Sequence, residues 1–452
     1  MVSGLEPAPD TDATRQPPPD TLARAGAARF WLAVVLTGIG TGIGAALLTR
    51  LLEAVQHLMW PGAGMDLLDA AAQAGPWRHV LVLLGAGLVT GLGQLVLVRL
   101  SSGNGIDITA AIWFSAGRLP ALRTLGSAVL SILIVGMGVS LGREGAPKQV
   151  GAVIADGLSD RALLSYEQRR LLVACGAGAG MAAAYGVPLG GALFALEVLR
   201  GVLALRLILP ALVASLIATA VSWLALPDAP TYQIPAYVSS APIILWALLA
   251  GPIAGLVSVF YVRMIAWADR NKPTGWRRLV APTLAMGLLG IVSIRFPQLL
   301  GNGRDVAQLA FTGQVAPALL LGLLLLKPAA TFLCLGSGAP GGLFTPSLTL
   351  GALLGGVLGY GGSWLWPDVP QGLFAVIGAG AVLAATTQGP ISAVVLIMEL
   401  TGRDRSFIVP LLLAVATATL VARTIEPRSI YDARLTDEQV RARQKLREPP
   451  QH

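Results

Sequence analysis

The stretch that decides the fold is GAGAGMAAAYGVPLGGALFALEV at residues 176–198, because the chain repeats it as GAGAVLAATTQGPISAVVLIMEL at residues 378–400. Both copies open on alternating glycine and alanine. Both also reach a proline that is followed, at the same spacing, by a glutamate: Glu197 in the first copy and Glu399 in the second. The agreement in residue type and spacing indicates that the two stretches descend from one ancestral unit.

A second pair of segments supports the duplication. GNGID at residues 103–107 recurs as GNGRD at residues 301–305, again with an offset of about 200 residues. The sequence therefore predicts two repeats, the first at about residues 30–205 and the second at about 240–425. Transport proteins of the membrane are commonly built from two such halves, with the substrate site at their interface near the bilayer midplane.

The composition places the chain in a membrane. Hydrophobic residues make up 54% of it and charged residues only 12%, with a mean hydropathy of +0.70, which excludes an ordinary soluble domain. Apolar runs long enough to span a bilayer of roughly 30 Å lie near residues 30–58, 79–99, 121–141, 207–226, 242–268, 278–294, 316–335 and 406–424.

Four segments between these runs are rich in glycine and proline. They lie at residues 142–160, 171–199, 336–366 and 372–400 and are predicted to be broken or re-entrant helices. Irregular backbone is tolerated at membrane depth only where protein or a water-filled cavity covers it. We therefore expect these segments to face the interior of the protein.

The distribution of cations predicts the orientation. The connections at 61–77, 226–242 and 360–372 contain no Lys or Arg and are expected outside, because positive charge favours the cytoplasmic side. Residues 1–28 are expected to form a disordered tail and residues 431–452 a short one. Both are expected in the cytoplasm, because Arg15, Arg24 and Arg29 lie near the first end and several Lys and Arg residues near the second. The net charge of +8 thus reflects topology, and no nucleic-acid partner is expected. The sequence predicts a multi-pass protein of the cell membrane.

The first candidate for a functional site is GREGAPKQ at residues 142–149. Glu144 precedes Pro147, a residue suited to the first turn of a helix, and the free N–H groups of a helix start bind anions. The Glu144 carboxylate would compete with a soluble anion for such a site, and protonation would release it. The alternative is a capping glutamate that stabilises the helix end by roughly 0.3–1 kcal/mol.

The second candidate is SGAPGGLFTP at residues 337–346, an uncharged glycine-rich loop predicted to open a helix at Pro346. The amides of that helix start would be free to receive an anion. A third helix start follows Asn104, whose side-chain amide is a donor. Glycine also permits close helix packing, but three such openings together favour a site for a dehydrated anion.

These motifs resemble those of the CLC family of chloride channels and proton-coupled chloride transporters, from about Trp31 to Tyr431. GREGAPKQ resembles the family's GREGP motif, GGLFTP its GxFxP motif, GNGID its GSGIP motif, and RSIYD contains what resembles its pore tyrosine. The resemblance implies an all-α polytopic membrane protein of two inverted-topology repeats with broken and re-entrant helices. It also implies a homodimer with one pore per subunit.

The resemblance further assigns residues to roles. It makes Glu144 the gate, and it implies an anion-binding set of Asn104, Gly105, Arg143, Gly145, Leu343, Phe344 and Tyr431. Asn104 stands where chloride-selective members have serine, so chloride is expected first and fluoride or nitrate are alternatives. Asp107 replaces a proline and is expected to cap the following helix.

Proton coupling is left open by Val198, which stands where family exchangers have a second glutamate that accepts protons. Valine favours channel-like or loosely proton-coupled transport, driven by voltage, over obligatory H⁺/Cl⁻ antiport. Glu197 and Glu399 are expected to accept backbone hydrogen bonds rather than to carry protons. Lys148 would pair with Glu144, attract anions, or meet another carboxylate, and Lys327 is a buried cation of unknown partner.

An enzyme is disfavoured. The chain has only three histidines, His57, His79 and His452, and none belongs to an HExxH motif. Cys175 and Cys334 have no spacing typical of a metal site or a disulfide framework. We expect no cofactor and no metal, and the predicted partners are a small inorganic anion, protons and the lipid bilayer.

Overall fold

The computed structural model describes residues 27–62, 66–100, 107–403, 407–432, 435 and 438–442. Two predicted anion-binding residues, Asn104 and Gly105, lie outside these ranges. The described residues form seventeen α-helices: α1 (Ala27–Met59), α2 (Leu67–Ala72), α3 (Pro76–Leu100), α4 (Ile108–Phe114), α5 (Ala121–Gly136), α6 (Gly145–Arg161), α7 (Tyr166–Tyr185), α8 (Pro188–Phe194), α9 (Leu205–Ser222), α10 (Ala241–Arg270), α11 (Arg277–Ser293), α12 (Arg304–Phe311), α13 (Pro317–Gly336), α14 (Phe344–Leu365), α15 (Gln371–Thr387), α16 (Pro390–Thr401) and α17 (Ile408–Ile425). A π-helical turn (Ala195–Arg200) follows α8, and a 3₁₀ turn (Pro297–Leu299) precedes α12.

Seven of the described helices are long and apolar enough to cross a membrane: α1, α3, α9, α10, α13, α14 and α17. This confirms a multi-pass membrane protein. Two predicted spans are not among the seven: α5 has 16 residues and ends at Gly136, before the end of the run predicted at 121–141, and α11 has 17, the same length as the run predicted at 278–294. Both pack against other helices: α5 against α1, α3 and α6, and α11 against α3.

The helix packing repeats in the two halves, as the duplication predicts. Helix α1 packs on α9 as α10 packs on α17, and α6 packs on α7 as α14 packs on α15. The halves meet where α3 packs on α11 and α8 on α16. The fold is therefore the two-repeat, all-helical membrane fold expected from the sequence.

Glycine permits the closest of these contacts. A Cβ atom added to Gly151 of α6 would overlap the carbonyl oxygen of Gly176 in α7, and one added to Gly351 of α14 would overlap that of Gly378 in α15. Gly176 and Gly378 are the first residues of the two repeated stretches. At these positions glycine serves close helix packing.

The four segments predicted to be broken differ from one another. Two contain an internal break: Gly186, with a φ of 68°, caps the end of α7 before α8 begins, and Gln388 caps the end of α15 before α16 begins. The segments at 142–160 and 336–366 instead contain one uninterrupted helix each, α6 and α14, and are irregular only ahead of it. Helix α14 begins at Phe344, two residues before the predicted start at Pro346.

The chain termini also differ slightly from expectation. Helix α1 begins at Ala27, inside the segment predicted as a disordered tail, because Ala27 and Ala28 continue the apolar helix that follows. The rest of that tail, residues 1–26, lies outside the described residues, as do residues 443–452.

Candidate functional site

Two glycine-rich loops, one from each half, meet in the interior. Gly142 donates its N–H to the carbonyl oxygen of Gly342 at 2.8 Å and accepts from the N–H of Gly342 at 2.7 Å, an isolated antiparallel bridge. These loops lie directly before α6 and α14. A Cβ atom on Gly145 would come within 3.3 Å of the backbone nitrogen of Gly342, so Gly145 is part of the same contact. The starts of the two helices are thereby brought together.

The Glu144 carboxylate lies at the start of α14. Its Oε1 accepts the backbone N–H of Phe344 at 2.6 Å. Its Oε2 accepts from the hydroxyl of Tyr185 at 3.2 Å and that of Thr345 at 3.3 Å. The residue has no exposed surface. A carboxylate thus occupies the position in which the N-terminus of α14 would bind an anion.

This arrangement corrects the expectation that Glu144 would occupy or cap the start of its own helix. Glu144 is the residue before α6, but its side chain forms no capping hydrogen bond there. The carboxylate crosses to the other half because glycine leaves room for it, since a Cβ atom on Gly342 would overlap Oε1. Leu343 is the corresponding residue before α14, so that helix start has no carboxylate of its own.

Tyr185 and Thr345 are site residues that the sequence analysis missed. Their hydroxyl groups lie 2.8 Å apart, and both donate to Glu144. The sequence does contain a signal for Tyr185. The two copies of the repeated stretch both carry a hydroxyl side chain at this position, Tyr185 in the first copy and Thr387 in the second. The side chain of Arg143 covers Tyr185, with its guanidinium carbon 5.0 Å from the ring centroid.

A separate group surrounds Tyr431. The ring of Phe194 meets the Tyr431 ring edge-on, with centroids 5.5 Å apart. The Lys148 ammonium lies 4.6 Å from the Tyr431 centroid and 5.1 Å from that of Phe194, distances typical of cation–π contacts. Among the described residues the Glu144 carboxylate has Tyr185, Phe344 and Thr345 as partners, and Lys148 reaches Glu144 only through its backbone N–H, so the first of the three roles predicted for the Lys148 side chain is not seen.

An ion-pair cluster anchors the segment that carries Tyr431. The carboxylate of Glu426 accepts from Arg263 at 3.0 Å and from Arg428 at 2.7 Å. Burial alone would raise the pKa of Glu426, but the hydrogen bonds from the two arginines outweigh it and hold that pKa below its usual range. The charged cluster fixes the chain just before Tyr431.

Glu197 and Val198 lie at the contact between the halves. Glu197 accepts the backbone N–H groups of Ile391 and Ser392 at the start of α16. Val198 is buried and packs against Gly389, where a Cβ atom would lie 2.6 Å from the valine. Glu197 therefore contacts backbone amides, the kind of partner expected for a structural role.

Two further polar residues have defined partners. The Asp107 carboxylate accepts the backbone N–H of Ala110 at 3.0 Å, which confirms the predicted cap of α4. The Lys327 ammonium donates to three carbonyl oxygens, those of Leu299, Leu300 and Gly301, at 2.9, 3.1 and 2.9 Å. Lys327 thus stabilises the loop that leads to α12.

Comparison with known proteins gives the family. The family model described as voltage gated chloride channel matches residues 86–423. The chain is 33% identical over 313 residues to the H⁺/Cl⁻ exchange transporter ClcA of Vibrio parahaemolyticus serotype O3:K6; the match covers 66% of each protein, just under two thirds of the transporter. It is also 33% identical over 323 residues to the voltage-gated ClC-type chloride channel ClcB of Escherichia coli O81, covering 70% of this chain and 76% of that one.

Solved structures show the same fold. A slow cyanobacterial Cl⁻/H⁺ antiporter superposes with a TM-score of 0.77 at 24% identity, covering 94% of this chain and 99% of that one. A CLC-type fluoride/proton antiporter superposes with a TM-score of 0.72 at 23% identity, covering 90% and 98%. The matched sequence, the duplicated helices and the meeting of the two glycine loops lead to one conclusion: the chain belongs to the CLC family of voltage-gated chloride channels and transporters.

Proposed function

We propose that this chain transports small inorganic anions, with chloride as the first candidate, and that Glu144 is its gate. The observation that carries the proposal is the hydrogen bond between the Phe344 N–H and the Glu144 carboxylate, at 2.6 Å. A carboxylate and a free anion require the same donors, so they compete for one position. Transport then depends on displacement of the carboxylate.

The donors at this position suit an anion that must also leave. The N-terminus of α14 contributes a backbone amide and the positive end of the helix dipole, equivalent to about half an elementary charge. Tyr185 and Thr345 contribute hydroxyl groups. These partial charges replace the hydration shell without a cation in direct contact, which keeps binding weak enough for conduction.

Protonation is the proposed release step. A neutral Glu144 loses most of its attraction to the helix start, and the incoming anion takes its place. The membrane potential drives the anion onward, at about 2.3 kcal/mol per elementary charge per 100 mV. The buried position of the carboxylate explains why the gate would have to move for an anion to pass.

The remaining parts of the pathway follow from the family. We assign the anion-binding set to Asn104, Gly105, Arg143, Gly145, Leu343, Phe344 and Tyr431, with Tyr431 closing the cytoplasmic side. Lys148 beside Tyr431 would raise the local anion concentration there. We also propose a homodimer, with both termini in the cytoplasm.

Coupling to protons has two candidate forms. Val198 favours channel-like or loosely coupled transport, because valine carries no proton. Obligatory H⁺/Cl⁻ antiport is the second candidate, since similar proteins are named exchange transporter and antiporter. Fluoride or nitrate selectivity is a further alternative, favoured by Asn104, and a similar structure is named a fluoride/proton antiporter.

Proteoliposomes test the proposal directly. Chloride efflux should appear when valinomycin and potassium dissipate the potential, and empty liposomes should show none. Proton uptake driven by the chloride gradient, repeated with fluoride and nitrate, separates the candidates. Proton uptake in fixed proportion to chloride would establish antiport, and little proton uptake would support the channel-like form. No flux of any of these anions would refute the proposed function.

A further inference from the structure

We infer that a polar cavity beside the gate is an outer binding site for one small monovalent anion, held by Arg143, Asn302 and Arg304. The inference rests on the proposed function and adds a second anion position to it. The cavity is lined by these three residues together with Gln56, Asp66 and Asp305. Asp66 belongs to the connection at 61–77, which the cation distribution places outside.

The cavity lies next to the gate. Arg143 directly precedes Glu144 in the chain, and its guanidinium covers the ring of Tyr185, whose hydroxyl donates to the Glu144 carboxylate. An anion bound beside Arg143 would therefore be adjacent to the position that the Glu144 carboxylate occupies. From this cavity an anion can enter the site at the start of α14 when the Glu144 carboxylate moves away.

Both guanidinium groups have unused donors. Arg143 makes a long hydrogen bond of 3.5 Å to the carbonyl of Ala184, and its buried Nε has no partner in the described part of the chain. Arg304 donates through Nε to the carbonyl of Thr231 at 3.3 Å. Each guanidinium has five N–H donors, so most of them are available to a ligand.

Carboxylate partners are also missing from these two arginines. Within the ranges that the structure describes, neither Arg143 nor Arg304 has a carboxylate oxygen within 4.0 Å, whereas Arg169 and Arg200 are paired with acidic side chains. Partly buried guanidinium groups that no carboxylate contacts directly keep their N–H donors for an anion. The ligand class that satisfies them is an anion.

Asn302 supplies a third donor. Its Oδ1 accepts the backbone N–H of Arg304 at 3.2 Å, which leaves its amide NH₂ as the group available to the cavity. Asn302 belongs to GNGRD, the second copy of GNGID at residues 103–107. In inverted repeats the two copies lie toward opposite faces of the membrane. GNGID contains Asn104, which belongs with Tyr431 to the proposed anion-binding set on the cytoplasmic side, so its counterpart GNGRD is expected on the outer side.

The second copy carries a cation that the first lacks. Arg304 stands where the first copy has Ile106. The two arginines are balanced in formal charge by Asp66 and Asp305, and the Asp305 carboxylate accepts the backbone N–H of Leu68 at 3.3 Å, which directs it toward α2. A lining of zero net charge with oriented donors binds an anion weakly, as passage requires.

Crystals soaked in bromide test the site by anomalous scattering. We expect a bromide peak in the cavity of the unmodified protein, no peak in Arg304→Gln, and a retained peak in Arg304→Lys. Arg295→Gln is the matched control, because Arg295 is an exposed arginine near the same loop and outside the cavity lining. Absence of bromide from the cavity of the unmodified protein would overturn the inference.

Equilibrium exchange of labelled chloride, with equal chloride on both sides, gives an independent readout. Arg304→Gln should raise the half-saturating chloride concentration by about tenfold or more, the loss typical of one charge-assisted hydrogen bond. Arg295→Gln should not change this value. An unchanged half-saturating chloride concentration in Arg304→Gln would contradict the outer site, although chloride exchange by that variant would still support the proposed function. If the unmodified protein exchanged no chloride, the proposed function itself would be refuted.

Discussion

Glu197 and Glu399 make the same contact in opposite directions across the interface of the two halves. Glu197 accepts the backbone N–H groups of Ile391 and Ser392 at the start of α16, at 3.1 and 2.6 Å. Glu399, near the end of α16, accepts the corresponding N–H groups at the start of α8, at 3.0 and 2.7 Å. Each half thus supplies the carboxylate that satisfies the helix start of the other.

Glu197→Gln and Glu399→Gln test whether this contact is structural. Loss of the charge weakens two charge-assisted hydrogen bonds, so each variant should lower the free energy of unfolding by about 1–2 kcal/mol. Thermal unfolding in detergent measures this, and anion and proton flux per folded protein should not change. Glu53→Gln, at an exposed ion pair, is the control. Reduced proton flux in a variant of normal stability would instead place Glu197 in a proton pathway.

Glu144→Gln tests the gate. The amide has the shape of the carboxylate but no charge, so it should be held less firmly at the start of α14 and cannot be neutralised further. Anion flux should persist and should no longer vary with pH, because the amide carries no proton that can be gained or lost. Flux assays in proteoliposomes at each pH provide the measurement. A pH dependence equal to that of the unmodified protein would rule out Glu144 as the titrating group.

Tyr185→Phe tests whether the hydroxyl holds the gate closed. The variant removes one hydrogen bond of 3.2 Å to the carboxylate and leaves those from Phe344 and Thr345. A net contribution of about 1 kcal/mol predicts roughly a fivefold rise in chloride flux at neutral pH. Tyr360→Phe is the matched control, since its hydroxyl also donates one hydrogen bond, to Val315 at 2.9 Å, but away from the gate. Equal flux in both variants would show that Tyr185 does not hold the carboxylate.

Lys327→Met tests the support of the loop before α12. The change leaves three carbonyl oxygens without their donor, although it also removes a buried charge. Since each unsatisfied buried group costs about 1–3 kcal/mol, we expect the free energy of unfolding to fall by roughly 3 kcal/mol. Lys327→Arg should be intermediate, and Lys272→Met, at a partly exposed ion pair, should have little effect. A fully stable Lys327→Met protein would mean that the charge costs as much as its hydrogen bonds contribute.

The overall fold could be read from the sequence because its signals are local or repetitive. Long apolar runs predict the membrane helices, and the two copies at residues 176–198 and 378–400 predict two equivalent halves. Helix ends were less predictable: α14 begins at Phe344 rather than Pro346. The bridge between Gly142 and Gly342 helps to set that start, and it joins residues about 200 positions apart.

For the site, the sequence by itself determined which residues bear the relevant chemistry: a carboxylate at Glu144, and an uncharged glycine loop before α14. Only the tertiary structure decided that Glu144 reaches across to Phe344, that Tyr185 and Thr345 complete its surroundings, and that Lys327 is held by three carbonyls. The physical reason is that residue type and spacing are properties of the chain. The partner of a buried side chain depends instead on how the two halves pack, since Glu144 of one half meets Gly342 and Phe344 of the other only after folding.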